Sequence, residues 1–377
     1  MEVLKAYKVK LYPSNVEEQG LYRTLGASRF VWNYNLAKRR DFYLEHKKTI
    51  SYATLSRDLT VFRNNTPWLQ ETDRTILDQS LRRFDSSYNR FFRKLSMLPK
   101  FKSKHDSKQS FQKYKGWHIE GKRIMLSKTL SFKFRGNIGT GERRTLVVMK
   151  TPTGWYASIL MREEIKVPKK HTKPIGIDLG INHLAITSDG KKFANLNPMR
   201  TAKKQLKKLS QSLSRKKKGS SRRQKAKGAL ARFHEKIRNR RQNHLHQISY
   251  RICERKPSLI ATEDLSVLNM TKNHSLAFSI ADVGWSGFLK MLEYKQLWRG
   301  GKFVQIDRFF PSSKTCHKCH YIIESLPLNV RSWNCPNCGT KHDRDVNAAK
   351  VILQQGEELP APRKATIALR RSANAVK

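Results

Sequence analysis

The sequence predicts a multidomain α+β protein, and three features carry that expectation. One N-terminal strand is followed by a long stretch of helical periodicity, residues 14 to about 97. A block of short alternating strands comes next. From Pro174 onward, apolar strands that end in acids alternate with helical patterns, and two C-x-x-C knuckles interrupt them. The expected architecture is a small antiparallel barrel broken by a helical insertion, then an α/β domain carrying a four-cysteine metal clip.

Residues 3–12 alternate apolar and basic side chains, as a strand with one wet cationic face would. Pro13 ends it, and Ser14-x-x-Glu17 is a capping box that starts a helix. Leu55, Leu59 and Phe62 share one helical face; Leu77, Leu81, Phe84, Tyr88, Phe91 and Leu95 form a longer apolar stripe. That aromatic stripe reads as core packing. Arg82, Arg83, Arg90, Arg93 and Lys94 lie on the opposite face, towards solvent or phosphate. Residues 123–126, 130–135, 145–150 and 155–162 read as strands, with 3–12 closing their barrel. Val167 to His171 reads as a linker.

Ile175 to Asp178 and Leu184 to Thr187 follow as strands, with Asp189-Gly190 as a hairpin turn. Leu259 to Glu263 is another buried strand ending in acids, residues 279–299 read as one amphipathic helix, and Phe303 to Ile306 is a strand. The chain resumes as a helix from Asp345 to Leu353, and a loosely ordered basic tail is expected from Gly356. Cys253 reads as a small core residue.

Lys and Arg number 77 against 29 Asp and Glu, a net charge of +48 over 377 residues. A compact chain with that excess repels itself unless a polyanion neutralises it, so nucleic acid is the expected partner. The excess is densest in a predicted pair of basic helices holding Lys203, Lys204, Lys207, Lys208, Arg215, Lys216, Lys217, Lys218, Arg222 and Arg223, which we expect to meet phosphate. No run of eighteen apolar residues and no secretory signal pattern is visible, so a cytosolic protein without a membrane partner is expected.

Cys316-x-x-Cys319 and Cys335-x-x-Cys338, separated by fifteen residues, have the spacing of a four-thiolate zinc ribbon. One structural Zn2+ held by these four leaves no open ligand position; a redox dithiol pair is the alternative. The intervening residues allow a hairpin. His317, His320 and His342 read as surface or nucleic-acid contacts. Asp178 and Glu263 each end an apolar strand, and Asp345 opens a helix. Gathered at one sheet edge, three such acids would repel one another unless divalent cations neutralised them, and two Mg2+ held that way activate water and stabilise a leaving oxygen in phosphodiester hydrolysis. Asp264, Asp343 and Asp189 are the second-choice ligands.

These residues carry a family likeness over nearly the whole chain. Lys5-Ala6-Tyr7-Lys8-Val9-Lys10-Leu11-Tyr12-Pro13 and Gly26-Ala27-Ser28-Arg29-Phe30-Val31-Trp32-Asn33 resemble the N-terminal region of TnpB proteins of bacterial insertion sequences, relatives of the type V CRISPR nucleases. Gly176-Ile177-Asp178-Leu179-Gly180, Glu263-Asp264-Leu265 and Asp343-Arg344-Asp345-Val346-Asn347-Ala348-Ala349 are similar to the three RuvC motifs of that family, the last one directly after the zinc ribbon. By that pattern the third catalytic acid is Asp345, not Asp343.

The resemblance implies an RNase H-like (RuvC) nuclease domain (173–309 and 343–355) with an inserted four-cysteine zinc ribbon (310–342). It also implies a β-barrel wedge domain (1–13 and 99–172) interrupted by a helical recognition domain (14–98), and leaves 356–377 as the tail. It implies a guide RNA from the element's end and cleavage of double-stranded DNA beside a short transposon-adjacent motif by a single protein chain in a ribonucleoprotein. Competing readings are an RNA-guided repressor that binds without cutting, and a transposase or resolvase accessory protein acting without RNA.

Overall fold

The computed structural model describes residues 1–106, 108–127, 129–327 and 329–359. They divide into two compact units, one of Glu2–Glu164 and one running from Ile165.

The first unit opens with β1 (Glu2–Tyr12), followed by α1 (Asn15–His46), α2 (Tyr52–Asn64), α3 (Pro67–Gln70) and α4 (Arg74–Phe92). Six strands complete it: β2 (Gln109–Lys113), β3 (His118–Glu120), β4 (Arg123–Met125), β5 (Ser131–Arg135), β6 (Glu142–Thr151) and β7 (Gly154–Glu164). The capping box forms as expected: the Ser14 backbone N–H donates to Glu17 Oε2 at 2.7 Å, and Ser14 Oγ accepts from the Glu17 N–H at 3.4 Å.

The seven strands lie in the order β2-β6-β7-β1-β5-β4-β3, all neighbours antiparallel. The first strand was expected to close a barrel; instead it is the middle of the sheet, and the strand order ends at β2 and β3. Its length explains the difference. Eleven residues pair with β7 along almost the whole strand and with β5 at one end, while Val3, Val9 and Leu11 point into the core.

The helices are inserted between β1 and β2. Leu77, Leu81, Phe84 and Tyr88 of α4 pack with Val31, Trp32 and Leu36 of α1 and Leu55 and Leu59 of α2. The stripe stops short of expectation: α4 ends at Phe92, Lys94 takes a left-handed φ of 55°, and Leu95 turns out to solvent. Arg83 departs from the wet face, since it is half-buried and burial lowers its pKa.

The second unit contains β8 (Ile175–Asp178), β9 (His183–Thr187), β10 (Lys192–Ala194), α5 (Pro198–Ser214), α6 (Ser221–Glu254), β11 (Leu259–Glu263) and α7 (Val267–Met270). It continues through α8 (His274–Val283), α9 (Trp285–Trp298), β12 (Lys302–Ile306), β13 (Ser332–Asn334), β14 (Lys341–Asp343) and α10 (Arg344–Glu358). Its five-stranded sheet runs β10-β9-β8-β11-β12, with β8, β11 and β12 mutually parallel and β9 and β10 antiparallel.

Strand alternation divides the apolar residues between two faces. Ile175, Ile177, Ile260 and Phe303 join Leu245, Ile248 and Ile252 of α6 and Phe288 and Leu292 of α9. Leu259, Ala261, Val304 and Ile306 face Ile352 of α10. Cys253 is buried in the first of these clusters, as expected. The single helix expected over 279–299 is two, α8 and α9, because Gly284 adopts φ 78° between them.

Helix α10 lies against the sheet closely enough to need glycine. A Cβ on Gly176 would stand 2.0 Å from the Ala349 carbonyl oxygen and 2.8 Å from Leu353 Cβ. Gly356, expected to begin the loose tail, is buried within α10, where a Cβ would come 2.4 Å from Ala261 Cβ. The rest of that tail, from residue 360, lies outside the described residues. Gly176→Ala should therefore destabilise the second unit by about 1–3 kcal/mol, the usual cost of overpacking, measured as a lower urea midpoint than the parent's. Gly190→Ala makes the comparison: its φ of 85° strains a side chain, but no atom lies within 4 Å of a Cβ there.

Candidate active site and metal centre

β8 and β11 are parallel neighbours, and their register pairs Ile177 with Thr262. Each strand's next residue is an acid, so Asp178 and Glu263 emerge side by side at the carboxyl ends. Ligand sites of open α/β sheets form at such an edge. Asp345 comes from the first turn of α10, where the helix dipole favours negative charge. Asp343 caps that helix, its Oδ1 accepting from the Asp345 and Val346 N–H groups at 3.1 Å each.

All three acids are half-buried. Asp178 is pushed up to about 7, first by burial and then by the charges of Glu263 and Asp345. The Leu179 N–H and Arg344 pull only weakly the other way. Glu263 is raised by burial, against a hydrogen bond from the Ser312 hydroxyl. Asp178 is thus within electrostatic reach of both Glu263 and Asp345, although among the described residues only the four cysteines bring three or more ligand atoms within 4.8 Å of one another. Carboxylate oxygens are hard donors of the kind Mg2+ takes.

The second-choice acids are engaged elsewhere. Asp264 pairs with Arg308, Asp343 with Lys192 at 2.7 Å, and Asp189 with Arg255 at 2.7 Å. One contact had no sequence signal: Arg331, from the stretch between the knuckles, reaches Asp345 Oδ1 at 3.5 Å.

The four cysteines converge. Cys316, Cys319, Cys335 and Cys338 present sulfurs that all lie within 4.8 Å of one another. The Cys316–Cys338 pair is 3.7 Å apart and Cys319–Cys335 is 3.5 Å apart. A zinc ion with Zn–S bonds of about 2.3 Å needs tetrahedral edges of about 3.8 Å, so the set fits zinc. Cys338 is drawn down to about 6, chiefly by its hydrogen bond with the Thr340 hydroxyl, and the Tyr321 backbone N–H lowers Cys319. Burial pushes Cys316 up to about 11. The expected hairpin is displaced: β13 and β14 flank the second knuckle, and a Thr315–Ile322 bridge flanks the first.

Two of the three histidines contradict the expectation of surface contacts. His342 is buried, with Nε2 at 3.1 Å from Cys316 Sγ. His317 Nδ1 lies 2.9 Å from Asn347 Oδ1. Each is adjacent in space to a knuckle, where a metal-binding loop needs polar support. His320 is exposed.

The basic helices α5 and α6 pack as a pair. Lys203, Lys204, Lys207, Lys208, Arg215, Lys217, Lys218 and Arg222 are exposed, as a phosphate-binding face requires, while Lys216 is half-buried. Arg223 is committed within the fold, donating to the Leu213 and Lys216 carbonyls at 2.9 and 2.8 Å and so satisfying the end of α5. The start of α5 is held by a residue sequence reading missed. Buried Asp282 of α8 accepts from the Met199 and Arg200 N–H groups and pairs with Arg241 at 2.7 Å.

Comparison with known proteins matches residues 158–274 to the family model "Probable transposase" and residues 285–352 to "Cas12f1-like, TNB domain". Residues 1–48 match "Helix-turn-helix domain", although here they hold β1 and the single long helix α1. Two solved structures share the fold at low identity. The Cas12f1–sgRNA–target DNA complex gives a TM-score of 0.60 at 12% identity, covering 93% of this chain and 98% of that one. The mini-RNA-guided endonuclease Cas_phi3 gives 0.50 at 9%, covering 96% and 93%. The mixed α/β architecture is thus that of compact CRISPR effectors.

Among sequence relatives, a "Putative RNA-guided DNA endonuclease" of Streptomyces pristinaespiralis is 36% identical over 94% of this chain and 90% of its own length. InsQ of Escherichia coli K12, described in the same words, is 32% identical over 96% and 94%. The chain belongs to the TnpB family of insertion-sequence proteins.

The raised Asp178 carries a test of sign. Its folded pKa of about 7 stands above the ordinary aspartate value, so metal-free folding takes up a proton. The associated stability is complete below about pH 4, the unfolded value, and is lost as pH rises through about 7. Asp178→Asn should therefore raise the melting temperature of EDTA-treated protein at pH 8 and leave it nearly unchanged at pH 4. Equal shifts at both pH values would contradict this.

Proposed function

We propose that this protein is an RNA-guided, Mg2+-dependent DNA endonuclease of a transposable element. The observation that carries the reading is that Asp178 and Glu263 end neighbouring parallel strands and that Glu263 and Asp345 both act electrostatically on Asp178. The charge of +48 supports long polyanionic partners, and the names of the relatives support a guide RNA and a DNA target. In this reading the second unit is an RNase H-like (RuvC) nuclease, residues 173–309 and 343–355, with the zinc ribbon of 310–342 inserted between its last strand and last helix. The wedge (1–13 and 99–172) and the recognition helices (14–98) account for the first unit, Glu2–Glu164, and the first residues of the second, while α10 carries the nuclease on to Glu358. The working form is one protein chain with its RNA in the bacterial cytoplasm, where the nucleoid is the source of target.

When bound, two Mg2+ supply activation of water and neutralisation of charge at the leaving oxygen. The chain's own part is positional. Asp178, Glu263 and Asp345 would hold the ions through their carboxylate oxygens. Ser312 fixes one oxygen of Glu263. Arg331 offers a guanidinium beside Asp345, placed to meet phosphate charge. The exposed cations of α5 and α6 would hold the nucleic-acid backbone, while base pairing with the guide reads sequence. One Zn2+ on Cys316, Cys319, Cys335 and Cys338 would be structural, its four ligands leaving no position for substrate.

Purified protein with its co-purified RNA should cut a plasmid bearing the guide's complement when Mg2+ is present. Asp178→Ala should abolish cutting while target binding, measured by gel shift, is retained. Unchanged cutting by that variant would sink the assignment. A wild type that binds target and never nicks it would instead establish the repressor reading, and protein recovered free of RNA the unguided one. Cys335→Ser should lose zinc and lower the melting temperature, because ligation supplies folding energy there; identical melting after chelation would refute the structural role.

A further inference from the structure

The peptide on each side of Cys316 is bonded to the helix that presents Asp345. Asn347, buried on the first turns of α10, donates from Nδ2 to the Thr315 carbonyl at 2.7 Å. Its Oδ1 accepts from the His317 N–H at 3.0 Å and lies 2.9 Å from His317 Nδ1. Two turns further along the same helix face, Gln354 Nε2 donates to the His317 carbonyl at 2.9 Å. The knuckle is therefore stapled to α10 at two points. A few residues before Cys316, buried Ser312 donates its hydroxyl to Glu263.

The chemistry of position 347 is restrictive. The site needs a donor for Thr315 and an acceptor for His317 on one short side chain, and a carboxamide supplies both. Aspartate supplies only the acceptor, and alanine neither. Both backbone partners are set beside a sulfur that must hold its place for metal ligation. Two residues from Asn347 sits Asp345, and the loop leading to Cys316 carries the hydroxyl that orients Glu263.

We propose that Asn347 and Ser312 are positioning residues that couple the cysteine centre to the carboxylates: Asn347 locks the first knuckle to the helix bearing Asp345, and Ser312 orients Glu263 from the loop before that knuckle. Zinc occupancy then sets the spacing of two acids supplied by different elements. The Ser312 half rests on the reading of the acids as a divalent-cation site; the Asn347 lock does not.

The test uses the full chain with its co-purified RNA and two metal readouts that need no cleavage. Zinc release is followed with a chromogenic chelator, and Mn2+ binding, in place of Mg2+, by the loss of its free-ion paramagnetic resonance signal. Partners of metal-site residues are typically worth about 10–100-fold in affinity or activity. Asn347→Ala is expected to release zinc about tenfold faster and to raise the half-saturating Mn2+ concentration by a similar factor. Ser312→Ala should shift Mn2+ alone, leaving zinc release unchanged, with Ser312→Thr restoring the wild-type value.

Gln354→Ala, a milder cut in the same staple, should speed zinc release in the same direction and serves if Asn347→Ala does not fold. Wild-type zinc release from both the Asn347 and Gln354 variants would overturn the lock. Unchanged Mn2+ affinity in zinc-free wild type would overturn the coupling even if the protein cuts DNA. A wild type that holds no Mn2+ at the acids would overturn the nuclease reading and the Ser312 role with it, while zinc release would still judge Asn347.

Discussion

The contact of α10 with the sheet at Gly176 is the constraint on which the acid site depends. A helix normally rides on a sheet through side chains that hold the two backbones apart. Here the Ala349 carbonyl occupies the space where residue 176 would carry a Cβ, and the Ala261 Cβ lies 2.4 Å from where Gly356 would carry one. Two glycines, one in β8 and one in α10, thus let the helix settle along β8 and β11. Its first turn ends up at the strand ends that carry Asp178 and Glu263. Larger residues would lift α10 and withdraw Asp345 with it. The close helix–sheet approach brings Asp345 within electrostatic reach of Asp178.

That approach works against electrostatics. In a chain with a large cationic excess, the three acids are still close enough for Glu263 and Asp345 to help raise Asp178. The neighbouring acids show the contrast. Asp343 and Asp189, each with a basic partner and backbone or hydroxyl donors, are held below the usual carboxylate range. The fold therefore neutralises carboxylates readily where it has a use for them as caps and turns, and leaves Asp178 raised by its two acidic neighbours. In the proposed function an added cation would relieve that repulsion.

Much of this was legible in the sequence because the informative residues lie at the ends of regular elements. Short apolar runs at 175–178 and 259–263 announce buried parallel strands, and an acid directly after each run must emerge at the sheet edge. Two C-x-x-C pairs announce their own convergence. What escaped reading depends on long-range packing. The central place of β1 follows from which strands line both its sides, and no local pattern encodes that. Gly284 lies inside the stretch read as one helix over 279–299, and its φ of 78° divides that stretch into α8 and α9. His342, Asn347 and Ser312 carry roles fixed by partners many residues away. Asp282, an ordinary helical acid in sequence, becomes the anchor of α5 only because α8 delivers it to that helix's start.

The position of the cysteine insertion has its own logic. β12 ends at Ile306 and α10 begins at Arg344, so a long excursion separates two elements that must pack on each other. An unstructured connection of that length would leave α10 loosely tethered, with the closure entropy of a long loop opposing its docking. Four sulfurs within 4.8 Å of one another fit a single zinc ion, which would shorten the effective loop to its metal-held base. In the proposed function, soft thiolates and hard carboxylates would select different ions, so the two centres could lie near each other in sequence without exchanging metals. The insertion also places Arg331 beside Asp345, at 3.5 Å.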